Sequence, residues 1–143
     1  MTKVRTNHPV SEIMTRDAVT VDRTTKISEV AQIFSDNGFS HLPVIEAGKI
    51  LGIISITDLL RVSYSDSFGE DERQVMAVLD NIKDIDDIMT ANPTTISPKA
   101  SLREAAKVLS CENFHSLPVV EPKTEEFIGI VTTSDIMTYL AEA

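Results

Sequence analysis

The sequence predicts an α/β (α+β) fold written twice, as two β-α-β-β-α repeats packed face to face about a pseudo-two-fold. Three observations carry it. First, the chain is an internal duplication: SEIMTRDAVTV (Ser11–Val21) aligns with DDIMTANPTTI (Asp86–Ile96), and Ile27–Glu46 with Leu102–Glu121, at one constant offset. Second, apolar spacing within each copy changes from helical to nearly continuous and back. Third, one copy spans roughly 55 residues, a size at which isolated folding is marginal. Two copies gain by covering each other's sheet face.

The elements follow in order. Val19–Val21 and Thr94–Ile96 read as short extended pieces. A helix comes next, because Ile27, Val30, Ala31 and Phe34 recur at helical spacing, as do Leu102, Ala105, Ala106 and Leu109. The apolar LPVIE and LPVVE runs are buried strands, each followed by a turn, EAGK in the first copy and the longer EPKTEE in the second. ILGIIS and FIGIVT are apolar almost throughout, so they read as strands covered on both faces. Helices DLLRVSY and DIMTYLAEA close the copies. Repeat 1 is thus placed at 8–64 and repeat 2 at 83–142. Between them, 65–82 is an acidic linker, turn-like at first, then an amphipathic helix presenting Val75, Met76, Val78, Leu79 and Ile82.

Composition narrows the function. The net charge is −9, and Asp66–Asp87 alone holds −6 of it. No basic face is left for nucleic acid or for an anionic membrane. The rest of the chain is near neutral and can accept a small anion locally. Cys111 is the only cysteine, so no intramolecular disulfide forms, which suits a reducing compartment. The N-terminal MTKVRTNHPV has no apolar core of a leader, and no run approaches the ~20 apolar residues of a membrane span. A cytoplasmic location is expected. Cys111 and His115 are too few for a metal site, and Cys111 reads as a small buried helix residue. No Gly-rich phosphate loop, nucleophile elbow or paired-histidine motif occurs. The expectation is therefore no enzyme activity, no catalytic residue and no bound metal or prosthetic group.

Each copy ends on the same junction, GIISITD (Gly52–Asp58) and GIVTTSD (Gly129–Asp135). IMT near the start of each copy, F-x-x-LPV in the middle and G-h-h-[ST]-x-x-D at the end, in order and twice over, resemble a tandem pair of CBS domains, the Bateman module. The resemblance covers nearly the whole chain outside the first residues and the linker, and is closest to a stand-alone bacterial-type member. It implies an adenosine-containing ligand (AMP, ADP, ATP, S-adenosylmethionine, sometimes NAD) in the cleft between the paired repeats. It also implies regulation of a partner enzyme, transporter or channel, and a homodimer formed through the helices Asp58–Tyr64 and Asp135–Ala141.

Asp58 and Asp135 suit the two hydroxyls of a ribose, because a carboxylate offers two acceptor oxygens at matching separation. Ser55 and Thr132, with the free N–H groups of the following helix, suit a phosphate. The same S/T-x-x-D pattern is also an ordinary helix cap, and the two roles are compatible. By resemblance, one site combines Ser55, Thr57 and Asp58 with Thr90, Thr95, His115 and Ser116. The other combines Thr132, Ser134 and Asp135 with Thr15, Thr20, Ser40 and His41. Adenine would lie near Val19, Leu42 and Ile53, or near Ile96, Leu117 and Ile130. No arginine stands beside either LPV strand, and His41 and His115, when neutral, each offer one donor and no full charge. Arg23, Lys26, Lys99 and Arg103 are the remaining bases considered. AMP or S-adenosylmethionine is therefore favoured over ATP. The alternative is a ligand-free dimerisation module or a regulatory fragment of a larger enzyme or transporter.

Overall fold

The computed structural model describes residues 5–66, 72–111 and 115–143. The chain divides into two compact units. One is contiguous, Val19–Asn92; the other joins the segment ending at Ala18 to Pro93–Ala143.

In the contiguous unit, helix α1 (Ile27–Asn37) leads to strands β1 (His41–Glu46) and β2 (Lys49–Ser55), then α2 (Ile56–Asp66), α3 (Glu72–Ile82), the single turn α4 (Ile85–Ile88) and the short strand β3 (Thr90–Ala91). The sheet order is β1-β2-β3, antiparallel throughout. In the other unit, a 3-10 turn at Val10–Glu12 precedes α5 (Leu102–Cys111), the antiparallel pair β4 (Ser116–Val120) and β5 (Phe127–Thr132), and α6 (Thr133–Glu142).

The duplication is a duplication of core positions. Ile27, Val30, Phe34, Leu42 and Val44 fill one core, and Leu102, Ala105, Leu109, Leu117 and Val119 stand at the matching places in the other. Mid-strand β2 and β5 are buried at three consecutive residues, hence on both faces (Gly52–Ile54 and Gly129–Val131).

The expected extended pieces are reduced to single parallel bridges, Val21 to Val44 and Ile96 to Val119. Proline is the reason. The Val21 amide donates to the Pro43 carbonyl at 3.0 Å and the Ile45 amide returns to Val21 at 2.8 Å. The next bond of a parallel ladder would need an N–H on Pro43, which has none. Pro118 stops the Ile96 ladder in the same way.

Strand β3 and the segment before it do not stay with their own copy. Ile53 and Gly52 of β2 pair with Thr90 and Ala91. Thr15 exchanges two backbone bonds with Ile130 of β5, at 2.8 and 3.0 Å. Each IMT thus packs against the other copy's sheet. It brings a fully buried side chain with it, Val10 into the core around Leu117 and Ile85 into the core around Leu42.

The linker helix α3 packs on α1. Asp80 accepts from the Ser28 amide at 2.9 Å and its hydroxyl at 2.6 Å, capping α1 from a distance in sequence. Of the described side chains on the expected apolar face, Leu79 and Met76 meet the core, whereas Val78 and Ile82 are exposed. The Val75 side chain, residues 67–71 of the linker and Phe114 lie outside the described residues. Ser65 and Asp66, expected to be turn-like, continue α2. The Ser63 hydroxyl bonds back to the Leu59 carbonyl at 2.9 Å, which lets it sit within a helix.

Before α1, the Asp22 carboxylate accepts from the Thr24 hydroxyl at 2.6 Å and amide at 2.8 Å. These bonds, with those from Thr25, hold its pKa below the usual carboxylate range.

Two outcomes test this architecture. A fragment of residues 19–92 holds a complete core and should fold cooperatively, whereas 93–143 should gain native circular dichroism only when a peptide of residues 5–18 is added. In the β1–β2 hairpin, Ala47 and Gly48 both have positive φ (51° and 78°), a type I′ turn. Ala47→Asn should raise unfolding free energy by about 0.5–1 kcal/mol in urea titration.

Candidate functional site

The two junctions are built alike. β2 runs into α2 at Ser55, and β5 runs into α6 at Thr132. The Asp58 amide donates to Ser55 Oγ at 3.0 Å while Asp58 Oδ2 accepts from the Ser55 amide at 3.2 Å. At the other junction the Asp135 amide donates to Thr132 Oγ1 at 3.0 Å and Asp135 Oδ2 accepts from the Thr132 amide at 2.9 Å. Both are capping boxes, and all four residues are half-buried. The strand before each junction is held by its neighbour: His41 pairs with Ser55, and Ser116 with Thr132. The carbonyl one place before that neighbour takes the first helical amide, Ser40 from Ile56 at 2.9 Å and His115 from Thr133 at 3.0 Å.

The second carboxylate oxygen distinguishes the junctions. Asp135 Oδ1 receives the Thr15 hydroxyl at 3.5 Å, the outer limit of a hydrogen bond. Asp58 Oδ1 receives the Arg61 guanidinium at 3.3 Å. Arg61 is absent from the bases weighed in the sequence; its signal was the i,i+3 spacing from Asp58 on one helix. Of the bases that were weighed, Arg23 is already engaged with Asp86 at 3.2 Å and Glu46 at 3.5 Å.

The contiguous unit carries Ser55, Thr57, Asp58 and Thr90, with Thr20, Ser40 and His41; the other carries Thr132, Ser134, Asp135 and Thr15, with Thr95, His115 and Ser116. Thr57 and Ser134 are exposed on the first helical turns. Thr20 and Thr95 are exposed beside the proline-interrupted bridges, and Thr90 on β3 pairs with Ile53. Ser116 is buried, His41 half-buried and His115 exposed. Among the aliphatics proposed to face adenine, Leu42 and Leu117 are fully buried core; Val19 is exposed. Cys111, the last described residue of α5, is exposed, not buried as expected.

The motif glycine has a steric cause that the sequence does not reveal. A Cβ on Gly52 would stand 2.7 Å from the Thr90 carbonyl oxygen, and one on Gly129 would overlap the Thr15 carbonyl oxygen. Glycine is what lets the exchanged segment cross the sheet here.

Among the described residues, no group of three or more His, Cys, Asp or Glu side chains could hold a metal ion. No described helix is long and apolar enough to cross a membrane. An open depression of about 550 Å³ between α1 and α3 is lined by Ser28, Gln32, Ser35, Met76 and Asp80 among others, and by none of the junction residues.

Comparison with known proteins matches residues 10–65 and 82–142 to the family model described as CBS domain. Protein MJ1225 of Methanocaldococcus jannaschii is 27% identical over 140 residues, 97% of this chain and 49% of its own length. Its crystal structure gives a TM-score of 0.80 at 26% identity, over 96% of this chain and 49% of that one. The CBS domain pair of protein MJ0100, solved with 5′-methylthioadenosine and S-adenosyl-L-methionine, is 27% identical with a TM-score of 0.74, over 94% of this chain and 96% of that one. Homoserine O-acetyltransferase of Methanosalsum zhilinae is 32% identical over 131 residues, 91% of this chain but 23% of the enzyme. The chain spans about half the length, or less, of these curated relatives.

Gly129→Ala should destabilise the protein by about 1–3 kcal/mol in denaturant titration. It should also raise the hydrogen-exchange rate of the Ile130 amide, which the Thr15 carbonyl otherwise holds.

Proposed function

The chain belongs to the CBS domain family, and on that premise we propose that it is a regulatory module that binds an adenosine-containing ligand and signals to a partner protein. The observation that most supports this is the repeated junction. Each copy fixes a carboxylate at a strand-to-helix turn with one oxygen in the cap and the other turned to a weaker or displaceable partner. The complex of the related MJ0100 pair with two adenosyl compounds supports the ligand class.

In this reading Asp58 and Asp135 hold ribose hydroxyls. Ser55, Thr57, Thr132 and Ser134 receive the polar group at the 5′ end, and Thr15 and Thr90 flank the sugar. Thr20, Thr95, Ser40, His41, His115 and Ser116 complete the contacts that the family resemblance assigns. The chain performs no reaction of its own, and a triphosphate is disfavoured because no arginine stands beside either LPV strand. Signalling requires that the ligand prefer one conformation over another.

A second reading, a dimerisation module, is favoured by one observation: Ile56 and Leu60 on α2, and Met137 and Leu140 on α6, are exposed large apolar residues. The two readings are compatible. In sedimentation equilibrium, Leu60→Glu combined with Met137→Glu should shift a dimer to monomer; a monomeric unmutated protein would remove this second role.

Thermal unfolding against AMP, ADP, ATP, S-adenosylmethionine, 5′-methylthioadenosine and adenosine tests the ligand. A compound present at one hundred times its Kd stabilises by about 2.7 kcal/mol. Asp58→Ala or Asp135→Ala should weaken binding at its own junction by about 2 kcal/mol, or ~30-fold. Unchanged affinity in the double variant would overturn the ribose assignment.

A further inference from the structure

We infer that Arg61 makes the two junctions select different ligands: the Asp58 junction an anionic adenosyl compound, the Asp135 junction an uncharged one. The inference rests on the ribose reading above and adds the charge of what each junction takes.

The duplication supplies the contrast. The position matching Arg61 in the second copy is Thr138, so one junction carries a guanidinium where the other carries a hydroxyl. In both, carboxylate Oδ2 is held by the cap amide. A ribose diol that takes one bond to each oxygen shares Oδ2 with the cap amide and meets the second partner at Oδ1. At Asp135 the diol competes with the Thr15 hydroxyl at 3.5 Å, a weak bond that gives way at little cost. At Asp58 it competes with Arg61 at 3.3 Å.

Charge then separates the two classes of compound. An uncharged nucleoside that takes Oδ1 displaces the guanidinium into water and gives up its ion pair with Asp58. A 5′-phosphate accepts the same guanidinium, so the arginine exchanges one anion for another. The Arg61 side chain is 71% exposed whereas that of Asp58 is 20% exposed. The arginine is thus free to swing while the carboxylate stays fixed. Arg23, the other base whose ion pairs are seen in this unit, is held between Glu46 and Asp86.

The experiment is calorimetric titration of AMP and of 5′-methylthioadenosine into protein carrying Asp135→Asn, which keeps an acceptor for the Thr132 cap amide and weakens the second junction. Adding Arg61→Gln should weaken AMP about fivefold to tenfold and leave 5′-methylthioadenosine unchanged or tighter. Arg61→Lys should retain most of the AMP affinity. The loss should shrink as salt rises from about 0.05 to 0.3 M, because an exposed charge is screened. In the mirror protein carrying Asp58→Asn, Thr138→Arg should raise AMP affinity at the second junction. Equal effects on both compounds, or an effect indifferent to salt, would overturn the assignment of Arg61 and leave the ribose reading standing. Failure of the unmutated protein to bind any adenosyl compound would overturn both.

Discussion

The fold depends on two close backbone crossings. At Gly129 the chain running through Thr15 passes so near the sheet that no Cβ fits between them, and at Gly52 the chain through Thr90 does the same. From these crossings come the backbone bonds that fix each segment, and from the fixed segments come Val10 and Ile85, each fully buried in a core assembled mainly from the other copy. The same crossings set Thr15 and Thr90 at matching register positions on the strands that lead to the junctions. A side chain in place of either glycine would push on backbone, which yields far less readily than a flexible side chain.

Exchange of this kind makes the duplication more than two folds in a row. Each sequence copy begins by completing the other copy's unit, so neither copy by itself owns all the parts of a core. The linker has a matching task. Helix α3 lies against α1, and Asp80 satisfies two donors of Ser28 at the start of that helix. A carboxylate accepting from a helix N-terminus is favoured both by the bonds and by the dipole. The acidity of the linker, which reads in sequence as solvation and charge, thus contributes one specific structural contact.

Much of this was legible in the residues, and the gaps have physical causes. The helices and paired strands followed from apolar spacing, because burial imposes that spacing. The exchange was not legible. A segment such as SEIMT pairs with whatever backbone lies beside it, and backbone bonds leave no residue-type signature. The extended pieces at Val21 and Ile96 were overread because Pro43 and Pro118 look harmless inside apolar strands; only the bonding direction shows that each removes the next ladder donor. Val78 and Ile82 were assigned to a buried face by periodicity, which gives a helix an apolar side but not its rotation against a neighbour. The bases beside the LPV strands do not point to Arg61, because the residue that meets Asp58 lies one helical turn beyond it.

The cap and the proposed site at each junction are not rivals. A carboxylate on a free rotamer must lose side-chain entropy to hold a ribose, and its two oxygens would have to find the diol together. The reciprocal bonds between Asp58 and Ser55, and between Asp135 and Thr132, have already fixed that rotamer in forming the helix start. Capping uses Oδ2 and leaves Oδ1 oriented, so the structural role would prepare the proposed binding role. It also follows that removing the carboxylate lowers stability and affinity together, by separable amounts. A change at Oδ1 alone, as at Arg61, leaves the cap intact. In the proposed reading it is therefore the position from which ligand preference would vary between the two copies while the fold stays the same.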